Sequence, residues 1–241
     1  MVADVSRETR EAAARVFPGD RLGLARGYAD LLAGDGVVRG LVGPREVPRL
    51  WERHLLNCAA LAEVVPVGAS LIDVGSGAGL PGLVLAIART DVSVTLVGPL
   101  LRRTTFLEEA VGLLGLTNVE VVRGRADALH GRRTADIVTA RAVAPLARLL
   151  DWTMPLVAPT GALLAMKGSS AQAEIEEAAE VLGRWGTAAP EVLSVGAGLG
   201  DAATTVVRVA WADPAEVGLR LASDGSRSSR RGAARRRKQS R

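Results

Sequence analysis

The stretch Leu71-Ile72-Asp73-Val74-Gly75-Ser76-Gly77-Ala78-Gly79-Leu80-Pro81-Gly82 decides the fold. The apolar run from Ser70 to Val74 reads as a buried strand. The alternating glycines that follow permit backbone angles, and a close ligand approach, that a Cβ atom would block. A helix beginning near Pro81 then offers unpaired amides and the positive end of its dipole to a carboxylate or phosphate. Strand, glycine turn and helix in this order mark a cofactor site.

The same twelve residues hold two glycine registers. Gly77-x-Gly79-x-x-Gly82 has the spacing of a dinucleotide-binding turn, but in such a turn the first glycine follows the strand directly. Gly75 occupies that place, and a dinucleotide motif counted from it needs glycine or alanine where Leu80 stands. Read from Gly75, the acidic residue followed by Gly-x-Gly-x-Gly looks like the first motif of S-adenosylmethionine-dependent methyltransferases. A nicotinamide-dependent oxidoreductase and a glycine turn that binds nothing are the competing readings.

Working outward, 241 residues with 48% hydrophobic content suffice for one large domain with an appendage. Charges and glycines interrupt every apolar segment before it reaches the length of a membrane span. Residues 1–15 carry acids and bases without the apolar core of a secretory signal, so the expected compartment is the cytoplasm. One cysteine, Cys58, and two histidines, His54 and His130, exclude an internal disulfide and argue against a zinc site. The net charge of +4 hides an asymmetry: residues 225–241 hold eight basic residues and no acid, leaving 22 bases against 26 acids in residues 1–224. Such an arm, too poor in apolar residues to pack, is expected to be disordered and to favour polyanions; a merely solubilising extension is the plainer alternative.

Residues 6–64 read as helical, with segments over 10–17, 22–32 and 48–64. From Ser70 onward, strand and helix alternate: strands at 70–75, 92–97, 119–122, 136–140 and 162–167, with helices at 81–89, 101–114, 146–157 and 171–186 between and after them. Alternation of this kind implies right-handed crossovers and a mostly parallel, doubly wound sheet. Two closing strands, 191–195 and 204–211, are expected to pair antiparallel at its edge. The expected organisation is a helical region at 1–66, an α/β, Rossmann-like, seven-stranded domain at 67–212, and a basic tail at 213–241.

Ligands of doubly wound sheets lie beyond the carboxyl ends of the strands. Those ends carry Gly75 to Leu80, then Gly98-Pro99-Leu100, Gly124-Arg125-Ala126-Asp127, Arg141, and Lys167-Gly168. Asp127 can accept from an adenine amino group or cap a short helix. The fixed fork of donors on Arg141 suits a carboxylate, a phosphate or a guanine edge; an ordinary ion pair is the alternative. Lys167 either touches ligand or snorkels. His54 reads as a packed, hydrogen-bonded histidine in preference to a base, and Cys58 as a small core residue. Arg102 and Arg103 are placed to meet RNA phosphates or simply to face water. No Ser-His-Asp or Cys-His constellation emerges, which disfavours hydrolysis.

Taken together, Arg53-His54-Leu55-Leu56-Asn57-Cys58, the glycine loop with its Leu80-Pro81-Gly82 extension, Arg102-Arg103-Thr104-x-Phe106-Leu107, Gly124-Arg125-Ala126, Ala140-Arg141-Ala142 and Met166-Lys167-Gly168 resemble the small-subunit ribosomal RNA guanine-7 methyltransferases of the RsmG (GidB) type. The similarity runs from about residue 20 to 211. It implies a Rossmann-like enzyme that uses S-adenosyl-L-methionine to methylate the 7-position of a guanine in 16S rRNA. Its expected partner is that RNA or the small ribosomal subunit, and it is expected to work as a monomer without metal. By resemblance the cofactor contacts fall on Gly75, Leu80, Ala126, Asp127 and Arg141, with Gly77 and Gly79 completing the glycine loop. Arg141 is the one candidate for a positioning role in catalysis. One departure stands out: the family often carries Asp or Glu where this chain has Gly98, the place of the acid that holds the ribose hydroxyls. Its loss raises an alternative, an RNA- or ribosome-binding relative with weakened or absent methyl transfer.

Overall fold

Alternation along the central strands divides the interior into two cores. In the computed structural model, which describes residues 6–218, Leu71 on β1 (Ser70–Val74) packs into one core while Ile72 and Val74 pack into the other. β2 (Ser93–Gly98), β3 (Val119–Arg123), β4 (Ala135–Arg141) and β5 (Val157–Lys167) run parallel to β1. β7 (Thr204–Ala210) pairs antiparallel with both β5 and the edge strand β6 (Glu191–Val195). The order is β3-β2-β1-β4-β5-β7-β6. Seven strands with an antiparallel closing pair match the expectation from the sequence. The order reverses between β1 and β4, and the crevice above that pair is where a doubly wound sheet binds its ligand.

One face is covered by α1 (Arg7–Val16), α2 (Arg21–Leu31), a helical run over residues 44–64, α4 (Gly82–Ala88) and α5 (Leu101–Leu113). Within that run, Leu50–Leu56 is π-helical, α3 (Asn57–Ala59) follows, and 3₁₀ turns close both ends. The N-terminal helices therefore share a core with the sheet: Tyr28, Leu32, Leu50, Leu55 and Cys58 are completely buried in it. The opposite face carries α6 (Leu146–Thr153), α7 (Ala171–Glu177) and α8 (Ala179–Trp185).

The N-terminal helical segments run longer than expected, from Arg7, on through Gly36 as π-helix, and from Pro44; from Ser70 onward, three boundaries depart from expectation by more than a residue or two. β5 begins at Val157, not Ala162, because Val157 already pairs with Ala135 on β4, ahead of a register shift that the strand crosses before Ala162 pairs with Ile137. Gly161 makes that approach possible: a Cβ there would lie 2.5 Å from the Asp136 carbonyl oxygen. The helix expected over 171–186 is broken at Ala178 (φ −89°, ψ 0°), a fully buried residue that no proline or glycine announces. The helix expected over 146–157 ends at Thr153, where Pro155 opens a 3₁₀ turn. No helix among the described residues is long and apolar enough to cross a membrane. Most of the basic tail, residues 219–241, lies outside the described residues, so its expected disorder does too.

Candidate cofactor and acceptor site

The glycine loop leaves β1 in left-handed steps, with φ +77° at Gly75, +59° at Gly77 and +102° at Gly79. Side chains with a Cβ rarely adopt such angles. Ser76 braces the loop: its Oγ donates to the Asp73 carbonyl at 2.8 Å and accepts from the Val97 amide at 3.0 Å. From the N-terminal helices, the buried Tyr28 donates its hydroxyl to the Ala78 carbonyl at 2.7 Å.

Gly79 and Gly82 are required by packing. A Cβ at Gly79 would lie 2.8 Å from the Tyr28 hydroxyl, and one at Gly82 would lie 2.5 Å from Leu96 Cδ2 and 2.8 Å from the Asp73 carboxylate. α4 thus seats directly on β1 and β2. Its first amide does not wait for a ligand, as the sequence suggested: the Gly82 N–H donates to Asp73 Oδ2 at 3.0 Å.

Asp73 is completely buried, and its Oδ1 has no hydrogen-bond partner among the described residues. Burial pushes its pKa up to about 7, against a smaller opposing pull from the Gly82 amide and the Arg141 charge. Between the usual carboxylate range and pH 7 the unfolded chain ionises here while the folded chain stays protonated, so this group lowers stability as pH rises through that window. Asp73→Asn keeps an acceptor for Gly82 and is expected to flatten the pH dependence between about 4 and 7. Urea unfolding of cofactor-free protein across that range checks it, and an unchanged slope in the variant would refute it.

Two adjoining cavities open above this loop, sharing Gly75, Pro99 and Val143. The first, about 440 Å³, is lined by Gly75 to Ala78, Leu80, Gly98, Arg103, His54 and Arg141. The second, about 230 Å³, is mostly apolar, with Val74, Val97, Ala126, Val143 and Trp152 beside Asp127 and Arg148. A third, wider cavity of about 730 Å³ lies on the far side of Arg141, bounded by Arg53, Asn57, Lys167, Glu174 and Thr204.

The sequence candidates divide accordingly. Gly75, Gly77, Leu80 and Arg141 line the first cavity; Gly75, Ala126 and Asp127 line the second. Gly79 lines neither and serves as the contact point for Tyr28, Leu83 and Leu107. Asp127 caps no helix; its carboxylate lies 3.3 Å from Arg125 Nε. Arg141 makes no ion pair among the described residues. Its Nη1 donates to Cys58 Sγ at 2.9 Å, and its Nη2 to the Arg53 carbonyl and His54 Nδ1, both at 3.0 Å.

Other residues hold the loop after β4. Lys167 donates to the Ala144 carbonyl at 2.8 Å and to Glu174 at 2.6 Å, while Glu174 also accepts from the Leu146 amide. Ala142 takes a strained φ of +52°, and a Cβ on Gly75 would lie 2.8 Å from Val143. Arg103, left between RNA and solvent by the sequence, lines the first cavity; Arg102 does not. Tyr28, Val143 and Trp152 were not singled out in the sequence. Of these only Tyr28, the chain's single tyrosine, offered any signal.

S-Adenosylmethionine fits the donor set. The glycine loop admits backbone approach at Gly75 and Gly77, Arg103 and Arg141 suit a carboxylate, and the apolar second cavity with Asp127 at its wall suits a purine. Strand order, loop and paired cavities define a Rossmann-like S-adenosylmethionine-dependent methyltransferase. A family model described as GidB, rRNA small subunit methyltransferase G, matches residues 21–198, and the chain belongs to that family. Ribosomal RNA small subunit methyltransferase G of Nocardioides sp. is 64% identical over 230 residues, 94% of this chain and 92% of the relative. The protein of that name from Thermobifida fusca is 58% identical over 214 residues, 89% and 90% of the two chains. A SAM-dependent methyltransferase from Aquifex aeolicus shares the fold at a TM-score of 0.51 and 19% identity, over 67% of this chain and 93% of that one. The chain is an S-adenosylmethionine-dependent rRNA methyltransferase, and these relatives do not favour the reading of Gly98 as the mark of a binding protein without transfer activity.

Proposed function

We propose that this chain methylates the 7-position of a guanine in the 16S rRNA of the small ribosomal subunit, acting as a monomer in the cytoplasm. Bound S-adenosylmethionine supplies an activated methyl group. The observation that carries the choice of acceptor is the state of the site's imidazole: His54 is engaged on both ring nitrogens, by Arg141 at 3.0 Å and by Glu46 at 2.8 Å, and is not free to act as a base. Guanine N7 has a lone pair and no proton, so it needs none. What remains is to expose the base, align it and exclude water.

The reading assigns Gly75, Gly77, Gly79, Leu80, Ala126, Asp127 and Arg141 to cofactor binding or its support. It assigns the guanine to the wide cavity beyond Arg141. Arg53, Arg103, Arg125 and Arg148 on the cavity walls supply local positive charge for RNA phosphates on a body that is acidic over residues 1–224. Residues 67–212 form the catalytic unit, residues 1–66 the helical region that braces it, and residues 213–241 a basic tail available to RNA.

Small subunits from cells lacking this activity, incubated with enzyme and methyl-labelled cofactor, are expected to yield label in 7-methylguanosine from 16S rRNA. Label in a ribose or an exocyclic amine would overturn the reading. Arg141→Ala is expected to lower transfer at subsaturating cofactor and substrate, measured as initial rates; full turnover would remove Arg141 from the mechanism.

A further inference from the structure

The environment of the half-buried Arg141 guanidinium is unusual, because a histidine, a carbonyl and a thiol hold it and no carboxylate among the described residues does. We propose that Glu46 and His54 form a positioning relay that fixes the Arg141 guanidinium between the cofactor cavity and the wider cavity beside it, and that the relay works only with His54 neutral. The inference rests on the proposed place of Arg141 at the boundary between cofactor and acceptor.

Hydrogen-bond chemistry sets the direction of the relay. A guanidinium has donors only and stays charged, so the His54 Nδ1 that meets Arg141 Nη2 must present a lone pair. The imidazole proton then resides on Nε2, which donates to Glu46 Oε2 at 2.8 Å. The carboxylate thus selects the tautomer, and the tautomer orients the guanidinium. Three elements are joined: the 3₁₀ turn Pro44–Arg49, the π-helical segment Leu50–Leu56 and the end of β4. The widened π-helical turn carries both the Arg53 carbonyl and His54 Nδ1, and these receive the same Arg141 nitrogen.

Protonation of His54 would replace its lone pair with an N–H aimed at the guanidinium and add a like charge. The groups facing His54 are Glu46, Arg53 on its own segment and Arg141 from β4; Cys58 shares the guanidinium, its thiol pushed up to about 11 by burial. Burial and then the Arg141 charge push the His54 pKa down, while Glu46 opposes them. Removing the Glu46 carboxylate therefore makes His54 harder to protonate. Asp73, whose pKa burial pushes up to about 7, is not among the groups that shift His54.

The test compares wild type with Glu46→Gln, His54→Gln and His54→Ala from pH 5 to 8, reading S-adenosylmethionine affinity by calorimetry and single-turnover methyl transfer to small subunits. Melting temperatures establish that each variant is folded. Wild type is expected to lose affinity or transfer on the acid side, and Glu46→Gln to move that limb to lower pH. His54→Gln, whose amide oxygen still accepts from Arg141, is expected to abolish the limb and rescue transfer relative to His54→Ala. His54→Ala is expected to lower transfer roughly ten- to hundredfold through misplacement of the guanidinium. An acid limb unmoved in both glutamine variants, by both readouts, overturns the relay, as does wild-type transfer by folded His54→Ala. Should small subunits accept no methyl group from wild type, the proposed acceptor fails while the cofactor-affinity profiles still decide the relay.

Discussion

Gly98→Glu is expected to tighten S-adenosylmethionine binding roughly ten- to hundredfold, the equivalent of about 1.5–3 kcal/mol for a charged hydrogen-bonding partner. Gly98 ends β2 and lines the first cavity beside Pro99 and Leu100, at the place where doubly wound sheets commonly hold the ribose hydroxyls with an acid. The backbone is ready to receive one. A Cβ on Gly98 meets nothing within 4 Å, its φ is not in the left-handed region, and its carbonyl is already committed to the Gly124 amide at 3.0 Å. The new carboxylate would thus enter open space next to the glycine loop without displacing a strand. Because ribose is common to cofactor and demethylated product, both are expected to bind more tightly. Such uniform binding lowers the KM for cofactor and leaves kcat unchanged or, where product release becomes slow, reduced. Calorimetric titration with cofactor and with product checks both arms. Gly98→Ala serves as the steric control and is expected to bind as wild type. A folded Gly98→Glu protein with wild-type affinities would show that the ribose is held elsewhere, and that the glycine is no handicap to this enzyme.

The parts of this site that were legible in the sequence are those set by local rules. Central parallel strands are buried on both faces and read as short apolar runs, so each was located to within a residue or two apart from β5. The positive-φ glycines announce themselves by composition, and the strand ends follow from topology once the strands are placed. Long-range packing decided the rest. Tyr28 reaches Ala78 across 50 positions and Arg141 reaches His54 across 87, and neither pairing leaves a periodic trace. Sequence reasoning placed His54 as a packed, hydrogen-bonded residue and Arg141 as a strand-end donor, without a reason to join them. The early start of β5 was hidden because Pro159, Thr160 and Gly161 resemble a turn, whereas in the structure they form the half of the strand that passes over the β4 register shift. Ala178, where α7 meets α8, is similarly silent, because a buried alanine fits a helix interior as well as a break.

Gly82→Ala is expected to combine a loss of stability of about 1–3 kcal/mol, the usual cost of overpacking a filled core, with loss of measurable cofactor binding. Alanine is the better helix former, so local propensity alone predicts the opposite sign. Tertiary geometry wins because the added methyl has nowhere to go: it meets Leu96 Cδ2 at 2.5 Å on β2 and the Asp73 carboxylate at 2.8 Å on β1, both completely buried. Relief requires α4 to lift from the sheet. That movement would stretch the 3.0 Å bond from the Gly82 amide to Asp73 Oδ2, leaving a buried carboxylate whose Oδ1 already has no partner among the described residues. It would also pull on Leu80 and the glycine loop, which is fixed from the other side by Tyr28 and Ser76. The displacement therefore propagates directly into the first cavity. At roughly 2–4 °C per kcal/mol for a chain of this size, the melting temperature should fall by several degrees while the protein remains folded at 25 °C. Melting curves and calorimetry on the same preparations separate the two effects. A variant that melts early yet binds cofactor as wild type would show that α4 can shift without moving the loop, and would confine the Leu80-Pro81-Gly82 extension to stability.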